Sequence, residues 1–293
     1  MSLRLGLDLG GTNIKVALVD ADRLAEGDGW LVATDTVPTK ADLGPEAVTS
    51  RMIEIASGYP QAATIGVGVP GVFDKKTGAI ELFPNLPGPW KGFPLLAKMT
   101  AGLGRSSALI NDARAFTLAE GTVGAGRGAH TLVCVTLGTG IGGGVMIEGR
   151  VHLGGLGTAG EIAHQIVVPD GPLCGCGNRG CAEPIAKAEA VAARAGKRSI
   201  EEVYAAVRAG DEMAVEAVEY AARYLGISLA NAVALLAPDR IVIGGGIVQA
   251  GDIVIEPIQR ALREHLTLVP PGSVEVVAAS LGPNAGAIGA ALA

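Results

Sequence analysis

Aromatic side chains are scarce in this 293-residue chain, at 3%, and charged ones are few, at 18%. Neither shortage starves a core, because 49% of the residues are apolar, and the length fits two domains. Positive charge is not in excess: the formal net charge is -6, and no basic run occurs. Nucleic-acid backbones are normally met by a basic face, so no nucleic-acid partner is expected. No charged-then-apolar leader precedes the first strand pattern, which starts by Leu3, so a cytoplasmic location is expected. Neither Gly-x-x-x-x-Gly-Lys-Ser/Thr nor Gly-x-Ser-x-Gly is present, which removes a P-loop and a nucleophile elbow. Residues 128–147 contain no Asp, Glu, Lys or Arg and match a membrane span in length. Six glycines and three threonines break that stretch around a Gly-Thr-Gly turn, so it reads as a buried hairpin and no membrane partner is expected.

Glycine, in contrast, is abundant, with 44 residues and no collagen period, which implies many tight turns and close backbone approaches. Residues 3–9 read as a strand, Gly10-Gly11-Thr12-Asn13 as a turn, and 14–19 as a returning strand. Strand, glycine turn and strand make a hairpin, unlike the strand-to-helix turn of a dinucleotide site. A second hairpin aligns without gaps at an offset of 128: residues 5–20 fall on 133–148, and Leu9-Gly10 on Leu137-Gly138. Gly11 and Thr12 then fall on Thr139 and Gly140. Two like hairpins, each opening half of the chain, predict a duplicated core. Glycine turns expose backbone N–H groups without a Cβ to hold a phosphate away, so the pair is a candidate polyphosphate grip. Asp8 reads either as a carboxylate for Mg²⁺ held through water or as an ordinary turn aspartate.

The densest cluster of reactive side chains lies in residues 156–183. His164-x9-Cys174-x-Cys176-x4-Cys181 offers one imidazole and three thiolates, the ligand set of a closed structural zinc site. Reduced, unligated thiols are the alternative. The fourth cysteine, Cys134, sits in a predicted core strand. Glu161, three residues before His164, points either at a ligand or at the metal ligands themselves.

The remaining elements follow from periodicity and punctuation. Helices are expected at 45–56, 94–100, 113–120, 184–196, 200–209, 212–236, 252–265 and 286–292. Strands are expected at 63–69, 79–82, 107–110, 240–243 and 274–279, and no element is assigned between 20 and 44. Trp90 reads as a core anchor, and Asn85 as a turn residue or a polar contact. Asp112 follows a strand where a helix begins, a position that suits a catalytic carboxylate and suits a helix cap equally. Gly244-Gly245-Gly246 closes a strand, either against a flat adenine ring or as a plain turn.

Taken together, DLGGTN (residues 8–13), GVPG (68–71), the Asn85-Leu86 loop ending at Trp90, Asn111-Asp112, LGTGIGGG (137–144), GEIAH (160–164), CGCGNRGCAE (174–183) and IVIGGG (241–246) resemble the ROK sugar kinases, above all the bacterial glucokinases. The resemblance runs nearly end to end. It implies an α/β, actin-like fold of the hexokinase/ribonuclease H type: two domains with a duplicated core. Residues 1–115, joined by a C-terminal helix at about 280–293, would form the first domain, and 116–279 the second, with the zinc segment.

The implied activity is phosphorylation of a hexose at its 6-hydroxyl by Mg-ATP, glucose first. Mannose, N-acetylmannosamine, fructose, a polyphosphate donor and a sugar-binding regulatory protein stay open. Regulators in the family carry an N-terminal helix-turn-helix, absent before Leu3. The resemblance makes Asp112 the general base, and Gly71, Asn85, Asn111, Glu161, His164 and Glu183 sugar contacts. It gives Asp8, Gly10, Gly11, Thr12, Asn13, Lys15, Gly138, Thr139, Gly140, Gly244 and Gly245 to the nucleotide, and His164, Cys174, Cys176 and Cys181 to structural zinc. It implies a homodimer or homotetramer. One departure stands out: the family usually has glycine at Ala163, where a methyl is expected to shift the loop.

Overall fold

The computed structural model describes every residue except 1, 85, 247–249 and 271. The chain forms two compact units, Met1–Gly124 with Pro283–Ala293, and Ala125–Gly282.

The first unit contains β1 (Leu3–Leu9), β2 (Asn13–Asp20), β3 (Leu31–Pro38), α1 (Gly44–Ser57), β4 (Thr64–Val69), the short pair β5 (Val72–Phe73) and β6 (Ile80–Leu82), α2 (Leu95–Leu103), β7 (Ser107–Asn111) and α3 (Asp112–Val123). Its main sheet runs β3-β2-β1-β4-β7, antiparallel across β1–β3 and parallel from β1 through β4 to β7. Alternation sends Leu5, Leu7, Leu9, Ile65, Val67 and Val69 to one face, where Val48 and Met52 of α1 and Leu95 and Met99 of α2 complete a core. The C-terminal helix, Ala285–Leu292, packs against the same sheet through small residues. A Cβ on Gly6 would stand 1.8 Å from the Ala287 carbonyl oxygen, and one on Gly66 1.6 Å from that of Ala290. Small residues on both partners therefore let helix and strands meet backbone to backbone, and the end of the chain completes the first unit.

β3 lies where periodicity assigned no element. It is an edge strand whose LVATDTVP is mostly exposed on both faces, so it has no buried stripe to read. Phe83, Trp90 and Phe93 form one aromatic cluster, with ring centroids 4.8 and 5.4 Å apart about Trp90. Trp90 is 3% exposed and donates its Nε1–H to the Pro87 carbonyl at 3.0 Å. The tryptophan thus anchors its loop in the core.

The second unit contains β8 (Thr131–Leu137), β9 (Ile141–Ile147), β10 (Arg150–Val151), α4 (Glu183–Ala186), α5 (Ala188–Arg194), α6 (Ile200–Arg208), α7 (Glu212–Leu236), β11 (Arg240–Gly244), α8 (Asp252–His265) and β12 (Glu275–Ala278); the C-terminal helix is α9. Its sheet order, β10-β9-β8-β11-β12, repeats that of the first unit strand for strand. A hairpin is followed by parallel β11 and β12, so the core is duplicated.

The ungapped alignment of the two hairpins does not survive the turn. Leu9 pairs with Ile14 across four residues, and Leu137 pairs with Ile141 across three. The returning strands therefore match at an offset of 127 rather than 128. A one-residue slip exchanges the two faces of a strand, so Lys15 corresponds to Gly142.

The helix expected over 184–196 is broken. Lys187 is extended (φ -65°, ψ 154°), and the Ala188 N–H leaves the helix to donate to the Gly138 carbonyl at 3.0 Å. That break ties α5 to the second glycine turn.

Candidate active site and metal centre

In the first unit, the candidate residues gather at the carboxyl ends of the parallel strands β1, β4 and β7, where open α/β sheets place their ligands. The first turn is closed by Gly10 N–H donating to the Asn13 carbonyl at 3.0 Å, and Gly11 and Thr12 are exposed at its tip. Thr39, fully buried, steadies the turn: its hydroxyl donates to the Gly10 carbonyl at 2.7 Å and its N–H to the Thr12 carbonyl at 2.8 Å. Sequence reasoning missed Thr39, which lies 29 residues from its partner and belongs to no motif.

Asp8 pairs with Lys15 across β1–β2 and with Gly68 across β1–β4. Burial first, and then the Asp112 carboxylate, push the Asp8 carboxyl up to about 6, while Lys15 pulls it down. Two carboxylates that feel each other beside one lysine make a site that a cation would stabilise.

At the start of α3 the sequence left two roles for Asp112, and the structure gives the cap to its neighbour. Asn111 Oδ1 accepts from the N–H groups of Ala113 and Arg114, at 3.1 and 3.2 Å. Asp112 is the first helical residue, and its Oδ1 accepts from the Ala113 N–H at 2.8 Å. The Asn111 amide also donates to the Gly71 carbonyl at 3.1 Å. Gly71 has φ +81°, and a Cβ there would lie 2.2 Å from the Leu82 carbonyl oxygen, so only glycine fits. Arg114, 3% exposed, adds a 3.0 Å bond from Nη1 to Asn111 Oδ1. Its place three residues after Asn111 on the helix was the only sequence signal for this role. Asn85 lies outside the described residues.

In the second unit, Gly138 N–H donates to the Gly140 carbonyl at 3.0 Å, which leaves Thr139 and Gly140 exposed at a tighter tip. Gly244 ends β11 beside Thr136 of β8. Gly245, at φ +91°, lies so close to Leu137 that a Cβ would stand 2.1 Å from its carbonyl oxygen. The two glycine turns of this unit are therefore neighbours at one sheet end. Glu183 links the β8–β9 turn to the cysteine segment: its Oε1 accepts from the Ile141 N–H at 3.2 Å, and its Oε2 lies 3.6 Å from Cys174 Sγ.

Glu161 precedes a single 3-10 turn, Ile162–His164, held to α7 by the Ser228 hydroxyl donating to the Ile162 carbonyl at 2.7 Å. The methyl of Ala163 is 1% exposed and packs in the hydrophobic core, and its φ is not positive. The alanine is thus accommodated inside the unit.

His164 presents its two ring nitrogens to different neighbours. Nδ1 lies 3.4 Å from Cys174 Sγ, and Nε2 lies 3.8 Å from Glu161 Oε2. Cys176 Sγ and Cys181 Sγ are 3.7 Å apart, and all four donor atoms lie within 4.8 Å of one another. Tetrahedral zinc with bonds of about 2.3 Å to sulfur sets its ligand atoms about 3.5–3.8 Å apart. A disulfide needs sulfurs about 2.0 Å apart, and Cys174, Cys176 and Cys181 are unoxidised thiols. Burial pushes the Cys174 thiol up to about 12, so a coordinated cation is what would make it a thiolate. The four side chains therefore fit a zinc ion. Cys134 stays apart, in the core strand β8.

Among the described residues, no helix is long and apolar enough to cross a membrane.

Known proteins carry the same organisation over the whole chain. The glucokinase of Thermotoga maritima is 34% identical, over 98% of this chain and 95% of its own length. The crystal structure of a ROK family glucokinase from Streptomyces griseus, in complex with glucose and AMPPNP, superposes with a TM-score of 0.83 at 32% identity, covering 99% of this chain and 98% of that one. The ROK hexokinase of Thermus thermophilus gives a TM-score of 0.84 at 35% identity, covering 99% and 97%. Residues 4–293 match the ROK family, so the chain belongs to that family, as a glucokinase-like sugar kinase.

Proposed function

We propose that this protein transfers the γ-phosphoryl group of Mg-ATP to the 6-hydroxyl of a hexose, with glucose as the preferred acceptor. The observation that carries the reading is the division of labour at the start of α3. Asn111 caps the helix, and Asp112 places a second carboxylate at the end of β7 whose charge is felt by Asp8. The glucose and ATP analogue bound in the Streptomyces griseus relative support the choice of substrates.

In this mechanism Asp112 accepts the proton of the 6-hydroxyl as that oxygen attacks the γ-phosphorus, and the bond to the bridging oxygen breaks to release ADP. Asp8 holds Mg-ATP through water, and Lys15 and the backbone N–H groups of both glycine turns offset charge on the phosphoryl oxygens. Positioning and electrostatics are most of what such a transfer requires. The sugar hydroxyls are assigned to Asn111, Gly71, Glu161, His164 and Glu183, and Asn85, expected with them, lies outside the described residues. Zinc, when bound, supplies a structural cross-link. His164, Cys174, Cys176 and Cys181 would hold it, and His164, whose Nδ1 faces Cys174, would keep Nε2, beside Glu161, for the sugar.

The test is ADP release with Mg-ATP across glucose, mannose, fructose, N-acetylglucosamine, N-acetylmannosamine and no sugar. Turnover that depends on sugar and is fastest with glucose is the expected result. Fastest turnover with an N-acetyl sugar would move the substrate and leave the chemistry. Turnover with polyphosphate and none with ATP would move the donor, and turnover with neither would overturn the reading.

A further inference from the structure

The carboxylate of Asp8 stands where two neighbours carry no side chain. Gly68, paired with Asp8 on β4, would bring a Cβ to 3.5 Å from Oδ1. Gly286, in the first turn of α9, would bring one to 2.5 Å from Oδ2, 2.7 Å from Cγ and 3.1 Å from Oδ1. The first distance is ordinary contact; the second set is an overlap that the carboxylate would have to vacate.

The three atoms nearest a Cβ at position 286 all belong to the Asp8 side chain. The φ of Gly286 is not positive, and α9 reads AGAIGAAL, a sequence otherwise built from good helix formers and small residues. Alanine is the best helix former and glycine among the poorest, so helix stability alone favours alanine there. Gly289, in the same helix, is different: its Cβ would lie 1.7 Å from the Ala115 carbonyl oxygen, so it faces fixed backbone on α3. Gly286 faces the one side chain of β1 assigned to Mg-ATP.

We propose that Gly286 is a positioning residue for Asp8, and that the C-terminal helix sets where this carboxylate stands by leaving it room. The inference rests on the reading of Asp8 as the group that holds Mg-ATP. Some 278 residues separate the two positions in the chain, yet they form one device. A methyl at 286 displaces the carboxylate and leaves the sugar contacts in place.

The decisive experiment is a double-variant cycle read by thermal unfolding, with Gly286→Ala made alone and in an Asp8→Ala background. Alone, Gly286→Ala is expected to lower Tm by on the order of 5 °C. With Asp8→Ala the overlap is gone, and the alanine should raise Tm by about 2 °C through helix propensity. Gly289→Ala is the control, expected to lower Tm alike in both backgrounds. Equal loss from Gly286→Ala in both backgrounds overturns the proposal, as does failure of the double variant to fold. If Gly286→Ala alone does not fold and the double variant does, the coupling is shown in its strongest form.

The functional arm is calorimetry. Gly286→Ala should weaken Mg-ATP binding at least about 5-fold and leave glucose binding unchanged; equal weakening of both overturns the positioning role. If the unsubstituted protein binds no Mg-ATP, the reading of Asp8 fails, whereas the unfolding cycle still decides the contact.

Discussion

One pair back from the turn, the first hairpin sets Asp8 opposite Lys15, and the second sets Thr136 opposite Gly142. The two sheets have the same order and the same mixture of directions, so these positions are equivalent. In the first copy they carry a half-buried carboxylate and its counter-charge. In the second they carry a hydroxyl and no side chain. β9 continues bare through Gly142–Gly144, and a Cβ on Gly143 would lie 2.4 Å from the Gly160 carbonyl oxygen. The second hairpin has thus been stripped to receive the segment that carries Glu161 and His164. A duplicated scaffold divides the work: one copy presents charge, and the other presents backbone and a floor for the metal segment.

Substitution at equivalent positions gives the largest contrast. Asp112→Asn should lower kcat by about 10³-fold, as loss of a general base does. Asp8→Asn should lower it by about 10²-fold, as loss of one electrostatic group does. Thr136→Val, at the position equivalent to Asp8, should cost less than about 10-fold. Comparable losses at Asp8 and Thr136, in steady-state assays with saturating glucose, would erase the asymmetry.

The metal segment belongs to one copy only, and the next prediction uses that. Protein purified without chelator should hold about one zinc per chain. Cys181→Ser should lose it and lower the unfolding midpoint of residues 125–282 by on the order of 10 °C. Hydrogen exchange in β1 and β4 should stay protected. Loss of protection in both units together would mean that the metal serves the whole chain, not the second unit.

The charged half of this comparison was legible in the sequence and the geometric half was not. Four metal ligands and two strand-end aspartates stand in short motifs, and both hairpins have strong periodicity. The duplicated order followed from aligning them. Distances along the chain hid the rest. The four-residue and three-residue turns differ by one residue, which an ungapped match of apolar positions absorbs unnoticed. Thr39, Arg114 and Gly286 act through partners fixed only by the fold. β3 failed for another reason: an edge strand exposed on both faces writes no period. Lys187 interrupts a helical pattern because a tertiary bond from Ala188 to Gly138 outweighs local propensity.

The Asp8 carboxylate should also show itself in stability without any ligand. The Asp8 carboxyl is raised from 3.8 to about 6, so the folded protein holds this proton more tightly than the unfolded chain. The resulting cost is absent below about pH 3.8, grows up to about 6, and is complete above it. Asparagine imitates the protonated acid. Asp8→Asn should therefore stabilise the ligand-free protein above pH 6.5, by at most about 3 kcal/mol, and be close to neutral at pH 4. Urea unfolding at the two pH values reads the difference. A variant less stable than the parent at pH 7.5 would mean that the carboxylate is well solvated, as no group at Thr136 needs to be.

Lys15 gives the smallest effect and the finest test of the asymmetry, because its equivalent, Gly142, has nothing to remove. Its charge favours the Asp8 carboxylate over the acid, against burial and Asp112. Lys15→Met takes that support away, so Asp8 keeps its proton to higher pH. If ionised Asp8 holds Mg-ATP, the acidic limb of kcat/KM for Mg-ATP moves upward, by roughly half a pH unit. A lysine that acted only on the nucleotide's phosphates would instead raise KM by the same factor at every pH and leave the limb in place. Removing both charges separates the two cases: in an Asp8→Asn background, Lys15→Met should no longer move the limb. A limb that still moves there would belong to another group, with Asp112, whose charge acts on Asp8, the first candidate.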